Sequence, residues 1–262
     1  MKAKLELSDI GIAGHAQHIT LRSYRPITSG ALPIVLYFHG GCFVKGSLDD
    51  ANEPASFLAT STPAWVIAVG YSLAPAFPFP AATEDAYLAL AWAASNARSY
   101  GADATRLAAV GYDAGGSIAA GLAAIARDRG VHRLAAQALL APLLDPSMTR
   151  LIDSKATSSN DDFDAEACAR FYRAYLPTAS QRIHPYAAPL ESRRLGTLPP
   201  TLIASAEASL VRADGETYAR ELIAAGVPVE MTRHGGTTHG ELVSHAPALA
   251  DVAEFLRKRL TP

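Results

Sequence analysis

The sequence predicts an α/β architecture, a mostly parallel twisted sheet with helices on both faces, and three observations predict it. Short apolar runs of strand length recur along the chain, separated by stretches long enough to be helices. Several runs are apolar throughout instead of alternating, as strands covered on both faces must be. The third observation is the stretch Val110-Gly111-Tyr112-Asp113-Ala114-Gly115-Gly116, which reads as a buried strand, a sharp turn and then a small-residue helix from Ser117 to Ala126. With 262 residues, 49% of them hydrophobic, the chain can bury one full core. A single domain over residues 1–262 is therefore expected, with a small lid segment at about 147–190.

The elements follow in order. Gln17 to Tyr24 alternates like a half-exposed strand, and the turn-rich stretch Pro26 to Pro33 leads into the apolar strand Ile34 to Phe38. That strand ends in His39-Gly40-Gly41-Cys42-Phe43, a loop whose glycines allow backbone amides to approach a ligand closely. Asp50 to Thr60 reads as a helix and Trp65 to Tyr71 as the next buried strand, while Pro75, Pro78 and Pro80 fix an extended loop. Thr83 is expected to cap a helix running to about Ala97, with Glu84 and Asp85 in its first turn, where acids favour the dipole. Leu107 to Gly111 feeds the sharp turn, and Gln137 to Ala141 is a further strand with Asp145 just past its end. Asp161 to Leu176 reads as a separate helix over the top edge of the sheet. Leu202 to Ala206 and Val229 to Arg233 complete the strands, flanked by helices at Ala213 to Ala225 and Ala246 to Leu260. In such a sheet the site belongs to the loops at the strands' C-terminal ends.

A net charge of −2 with no block of like charges gives no footprint for nucleic acid or an anionic membrane. The expected partner is a small molecule, and a homo-oligomer is left open. Cys42 and Cys168 are the only cysteines and lack metal-ligand spacing, so neither a disulfide framework nor a metal is expected. No organic cofactor is expected either. The start shows no apolar run of signal-peptide length and no stretch has 18 consecutive apolar residues, so the expectation is a cytoplasmic protein.

Taken together, these landmarks resemble the hormone-sensitive-lipase-like esterase branch of the α/β-hydrolase fold family, from about Leu32 to Leu260. The resemblance is carried by the His39 to Phe43 loop, by Tyr71-Ser72-Leu73-Ala74-Pro75 with Pro78 to Ala82 and Glu84-Asp85, and by the turn at Asp113. Leu198-Pro199-Pro200, Gly226-Val227-Pro228-Val229-Glu230 and His239-Gly240 complete it. It implies an α/β-hydrolase fold, an oxyanion hole built by the loop of Gly40, Gly41 and Cys42 with Ala114, and a catalytic histidine at His239. Two catalytic positions depart from the pattern. The family writes G-D-S-A-G-G where this chain has Gly111-Tyr112-Asp113-Ala114-Gly115-Gly116, so Asp113 stands at the nucleophile position. Where the family places its catalytic aspartate, this chain has Ser209. Only about 30 residues precede the oxyanion strand, fewer than the family's first cap helices need, so a reduced cap and an open pocket are expected.

The chemistry of a carboxylate at that turn differs from that of a serine. Asp113 needs no base to become nucleophilic, but its attack on an ester would form a high-energy anhydride. It suits a saturated carbon bearing a halide or an epoxide oxygen, giving an alkyl ester of the enzyme. Water activated by His239 would cleave that ester, its oxyanion held in the hole. Epoxide opening is favoured over halide loss, because Ala114 stands where a tryptophan typically follows the aspartate in the α/β-hydrolase branch that removes halides through such a carboxylate, and Trp65 and Trp92 fall on a strand and a scaffold helix. An epoxide needs a proton donor, for which Tyr172 or Tyr175 on the lid helix are candidates, with lid packing as their structural alternative. His239 needs an orienting group: Ser209, or the alternative acids Asp145 and Glu207, whose plainer reading is structural. The alternative function is a disarmed hydrolase homologue that binds a small molecule, with Asp113 and His239 locked as an ion pair.

Overall fold

The computed structural model describes residues 4–150 and 165–261. Eight strands form one sheet in the order β1-β2-β4-β3-β5-β6-β7-β8. In chain order the strands are β1 (Leu5–Ala13), β2 (His18–Pro26), β3 (Leu32–Phe38), β4 (Trp65–Gly70), β5 (Ala102–Tyr112), β6 (Leu134–Leu140), β7 (Thr201–Ala206) and β8 (Val229–His234). β2 runs antiparallel to both β1 and β4, and every other neighbouring pair is parallel. The helices are α1 (Asn52–Ser61), α2 (Ala81–Asn96), α3 (Ala114–Arg129), α4 (Ala165–Tyr175), α5 (Arg212–Ala224) and α6 (Ala246–Leu260).

The apolar runs become strands because both faces of the sheet are covered. All seven residues of β3 are buried. Ile34, Leu36 and Phe38 point into one core with residues of α2, α3 and α5, while Val35 and Tyr37 point into the other with α1 and α6. β1 escaped the sequence reading for the opposite reason. It is an edge strand with only Ile12 buried, so it carries no hydrophobic pattern. Thr83 also differs from expectation: α2 starts two residues earlier at Ala81, and the Thr83 hydroxyl donates to the Pro80 carbonyl from inside the first turn. Of the helix expected at Asp161 to Leu176, Ala165–Tyr175 is helical, and the residues before 165 lie outside the described residues, as does 151–164 of the expected lid.

The topology fixes where the site lies. From β3 the chain crosses to β4 on one side, and then returns to β5 on the other. The loops leaving the C-terminal ends of β3 and β5 therefore diverge, and a crevice opens between them, the usual ligand position in a sheet of this kind.

Candidate active site

Asp113 sits at the tip of the turn between β5 and α3 with φ 56 and ψ −120, a conformation that side chains other than glycine rarely adopt. The turn is held from both sides. The Asp113 amide donates to the Leu140 carbonyl at 3.0 Å, and the Asp113 carbonyl accepts from Gly116 and Leu143 at 3.0 and 3.2 Å. Glycine is obligatory at the flanks, since a Cβ on Gly111 would stand 2.0 Å from the Gly115 carbonyl oxygen and one on Gly115 would stand 2.1 Å from that of Phe38. This close passage of strand under helix is why the motif needs small residues at those positions.

The carboxylate bridges two halves of the site. Its Oδ2 accepts the amides of Gly41 at 2.7 Å and Cys42 at 2.8 Å. Its Oδ1 lies 3.4 Å from His239 Nε2, and the Cys42 thiol approaches the same oxygen at 3.9 Å. Burial alone would raise the Asp113 pKa, but His239 and the amides of Cys42 and Ala114 more than offset it and hold the carboxyl below its ordinary range. Gly41, Cys42 and Ala114 thus point donors at one place. Gly40 contributes close approach: a Cβ there would meet the Tyr112 ring at 2.7 Å and Asp113 Cβ at 3.2 Å. Its carbonyl faces His39 Nδ1 at 2.6 Å. Cys42, where the resembling family has a third glycine, takes φ 52. Burial and the neighbouring Asp113 carboxylate push its thiol well up, so it stays protonated and is no nucleophile.

His239 is buried just past β8, at the start of the short 3-10 turn Gly240–Ser244. Its Nδ1 faces Ser209 Oγ at 3.0 Å. The Tyr112 hydroxyl donates to the His239 carbonyl at 2.9 Å, and the two rings lie 5.4 Å apart. The two alternative acids are engaged elsewhere. Asp145 accepts the Ser147 amide at 2.8 Å and pairs with Arg150, forming a turn after β6. Glu207 accepts the Gly236 amide at 2.8 Å and pins the loop ahead of His239. The His39 ring stacks on that of Tyr71, with centroids 4.4 Å apart.

Tyr172 and Tyr175 of α4 both pack against Phe43. Tyr175 stacks on Phe43 at 4.0 Å and meets Phe79 edge-on, a packing role. Tyr172 also touches Phe43, at 5.6 Å, and its buried hydroxyl, like that of Tyr175, has no hydrogen-bond partner among the described residues. Burial, then the charges of Asp214, Cys168, Asp145 and Asp113, hold its phenol protonated. Two polar groups at the site went unnoticed in the sequence. Tyr112 stands where the resembling family writes an aspartate, and that substitution was its signal. Asp214, in the first turn of α5, read as an ordinary helix residue.

Comparison with known proteins follows the same lines. Residues 35–243 match the alpha/beta hydrolase fold family. Esterase LipI of Mycobacterium tuberculosis is 40% identical over 243 residues, 90% of this chain and 75% of that protein. Ethyl acetate hydrolase of Pseudomonas putida is 35% identical over 97% of this chain and 83% of its own length. Among solved structures, EstE1, a thermostable carboxylesterase from a metagenomic library, superposes with a TM-score of 0.93 at 32% identity, covering 100% of this chain and 92% of its own.

Proposed function

The chain belongs to the alpha/beta hydrolase fold family and is similar to its esterases, and from that premise we propose that it is a hydrolase in which Asp113 is the nucleophile and an alkyl ester of the enzyme is the intermediate. The observation that carries the reading is the division of the Asp113 carboxylate, with Oδ2 on the amides of Gly41 and Cys42 and Oδ1 towards His239. An ester substrate needs those amides for its own carbonyl oxygen. Here the enzyme's carboxylate already occupies them, which disfavours acyl transfer and suits a reaction whose oxyanion forms on Asp113 itself.

With an epoxide the steps balance as follows. Asp113 Oδ1 attacks a ring carbon, the carbon–oxygen bond of the ring breaks, and the released alkoxide takes a proton from Tyr172. His239 then removes a proton from water, whose oxygen attacks Asp113 Cγ. The resulting oxyanion rests on the amides of Gly41, Cys42 and Ala114, and collapse releases a diol whose oxygen is protonated by the imidazolium; the second proton of the water, left on the regenerated Asp113 carboxyl, returns to the Tyr172 phenolate and restores both groups. Net, one epoxide and one water give one 1,2-diol, and one oxygen of Asp113 comes from water. Ser209 orients the imidazole without adding charge.

The same geometry also favours a second reading. A carboxylate that fills the hole and faces the histidine can be a lock, leaving a hydrolase-derived pocket for binding alone. Single-turnover reaction with terminal epoxides, haloalkanes and short-chain esters in 18O-labelled water, followed by mass spectrometry of the peptide holding Asp113, separates the two. Substrate-dependent label in that carboxyl is the expected result. No label and no turnover in any class leaves the binding reading.

A further inference from the structure

Beside the hole lies a cleft of about 410 Å³, within the size range of small-molecule sites, that the reaction above does not use. Gly40 and Gly41 of the oxyanion loop, Tyr112 next to Asp113 and Gly240 next to His239 all line it, so it adjoins the reacting groups on both sides. The charged residues of its lining are Lys45 and Asp50. Asp50 is turned to its own loop, accepting the Ser47 amide at 2.8 Å and the Ser47 hydroxyl at 3.3 Å. Lys45 is exposed, and among the described residues its ammonium has no carboxylate within ion-pairing distance. Its backbone is nevertheless fixed. The Lys45 amide donates to the Gly41 carbonyl at 3.0 Å, and the amide of that same Gly41 holds Asp113 Oδ2 at 2.7 Å. A Cβ on Gly41, whose φ is +117, would stand 2.0 Å from the Lys45 carbonyl oxygen, so loop and lysine form one tight unit.

We propose that this cleft receives an acidic arm of the substrate, and that Lys45 selects molecules carrying a single carboxylate a short aliphatic spacer away from the reacting carbon. A cation carried on a backbone held next to the nucleophile's own hydrogen-bond donor, and lining the cleft, restricts where along the substrate an anion can be met. One ammonium neutralises one negative charge; a phosphate dianion would lack a second cation and meet about twice the repulsion from Asp50 that a monoanion meets. The apolar part of the spacer faces Val243 and the glycine walls.

The proposal deepens the Asp113 reading and rests on it for the reacting carbon, so its test has two arms. In the first, terminal epoxides bearing a carboxylate three to six carbons away are compared with the matched primary amides. The acids are expected to show a KM about fivefold to tenfold lower, an advantage that shrinks with added salt. Lys45→Met removes the advantage by raising KM more than it lowers kcat, and Lys45→Arg retains it. Equal KM values for acid and amide, or an acid preference that survives in Lys45→Met, overturn the proposal. The second arm measures binding of hexanoate against hexanamide by calorimetry and needs no chemistry at Asp113. Hexanoate binding that is lost in Lys45→Met, with no epoxide turned over, supports the carboxylate site and sinks the Asp113 reading. Equal binding of the two, or binding independent of Lys45, overturns the carboxylate site whatever Asp113 does.

Discussion

Asp113 and Asp214 are both 2% exposed and both stand at the beginning of a helix, yet their surroundings drive their charges in opposite directions. Burial raises the pKa of each. At Asp113, His239 and the amides of Cys42 and Ala114 overcome that cost, and the carboxyl is held below its ordinary range. At Asp214 the nearby Asp145 carboxylate adds to burial, and Arg150 with the amides of Asp145 and Leu144 does not offset them, so the pKa rises to about 7. A helix start alone therefore does not hold a buried carboxylate ionised. What matters is how many donors are aimed at it, and at Asp113 they are His239 and the amides of Cys42 and Ala114.

The largest break in the comparison comes from taking the charge off Asp113. Asp113→Asn keeps an oxygen able to accept the Gly41 and Cys42 amides but offers no nucleophile. Turnover of epoxides is expected to fall on the order of 10⁴-fold, with the Tm little changed, because losing a nucleophile removes the covalent route outright. Steady-state rates with the asparagine variant check this. A variant as active as the parent ends the nucleophile assignment.

The second test concerns Asp214 and its sign is opposite to the usual acid. A folded pKa of about 7 lies above the unfolded value near 3.8, so between those values the folded state holds a proton that the unfolded chain has lost. Stability from this residue is present at low pH and drains away as pH rises from about 4 to about 7. A shift of roughly three units bounds the loss at about 4 kcal/mol. Urea midpoints of the wild type should therefore fall between pH 5 and pH 8 relative to those of Asp214→Asn, which carries no such proton. Parallel pH profiles for the two proteins would mean that Asp214 is ionised throughout.

Much of this was legible in the sequence, and the illegible part has physical causes. The buried parallel strands, the turn at Asp113 and the order of the landmarks leave strong local patterns, because burial on both faces and close backbone passage permit few residue types. The pairing of Ser209 with His239 Nδ1 was readable only through the spacing that the resembling family shares. β1 was not readable, since an edge strand with one buried residue has no period to detect. Nor was the state of Asp214, which depends on Asp145, 69 residues away in sequence and brought close by the sheet. The hold of the Gly41 and Cys42 amides on Asp113 is likewise a fact of geometry: the residue identity was visible, while the direction of each oxygen was not.

Exchanging the two atypical positions sharpens the contrast from the other side. Asp113→Ser empties the amides of Gly41 and Cys42 for a substrate carbonyl, and Ser209→Asp gives His239 a carboxylate at Nδ1. The double variant is expected to hydrolyse p-nitrophenyl acetate at least about 100-fold faster than either single variant, since nucleophile, base and orienting acid act as a unit. Rates for the four proteins measured side by side give the coupling directly. Additive single effects would mean that the rest of the site no longer supports acyl transfer.

The smallest effect belongs to Ser209. Its hydroxyl lies 3.0 Å from His239 Nδ1 and fixes the ring, but as a neutral group it gives the imidazolium far less stabilisation than a carboxylate gives. In the proposed cycle His239 acts only when water cleaves the alkyl ester; the attack of Asp113 on carbon proceeds without it. Ser209→Ala should therefore slow the second half-reaction alone, by about tenfold, because the Tyr112 hydroxyl still anchors the His239 carbonyl at 2.9 Å. The signature is a larger fraction of enzyme carrying the alkyl group during turnover, read from intact-protein mass after acid quench, with the rate of its formation unaltered. Equal slowing of formation and breakdown would instead place Ser209 in support of Asp113 as well, and the two sides of the site would no longer divide the reaction between them.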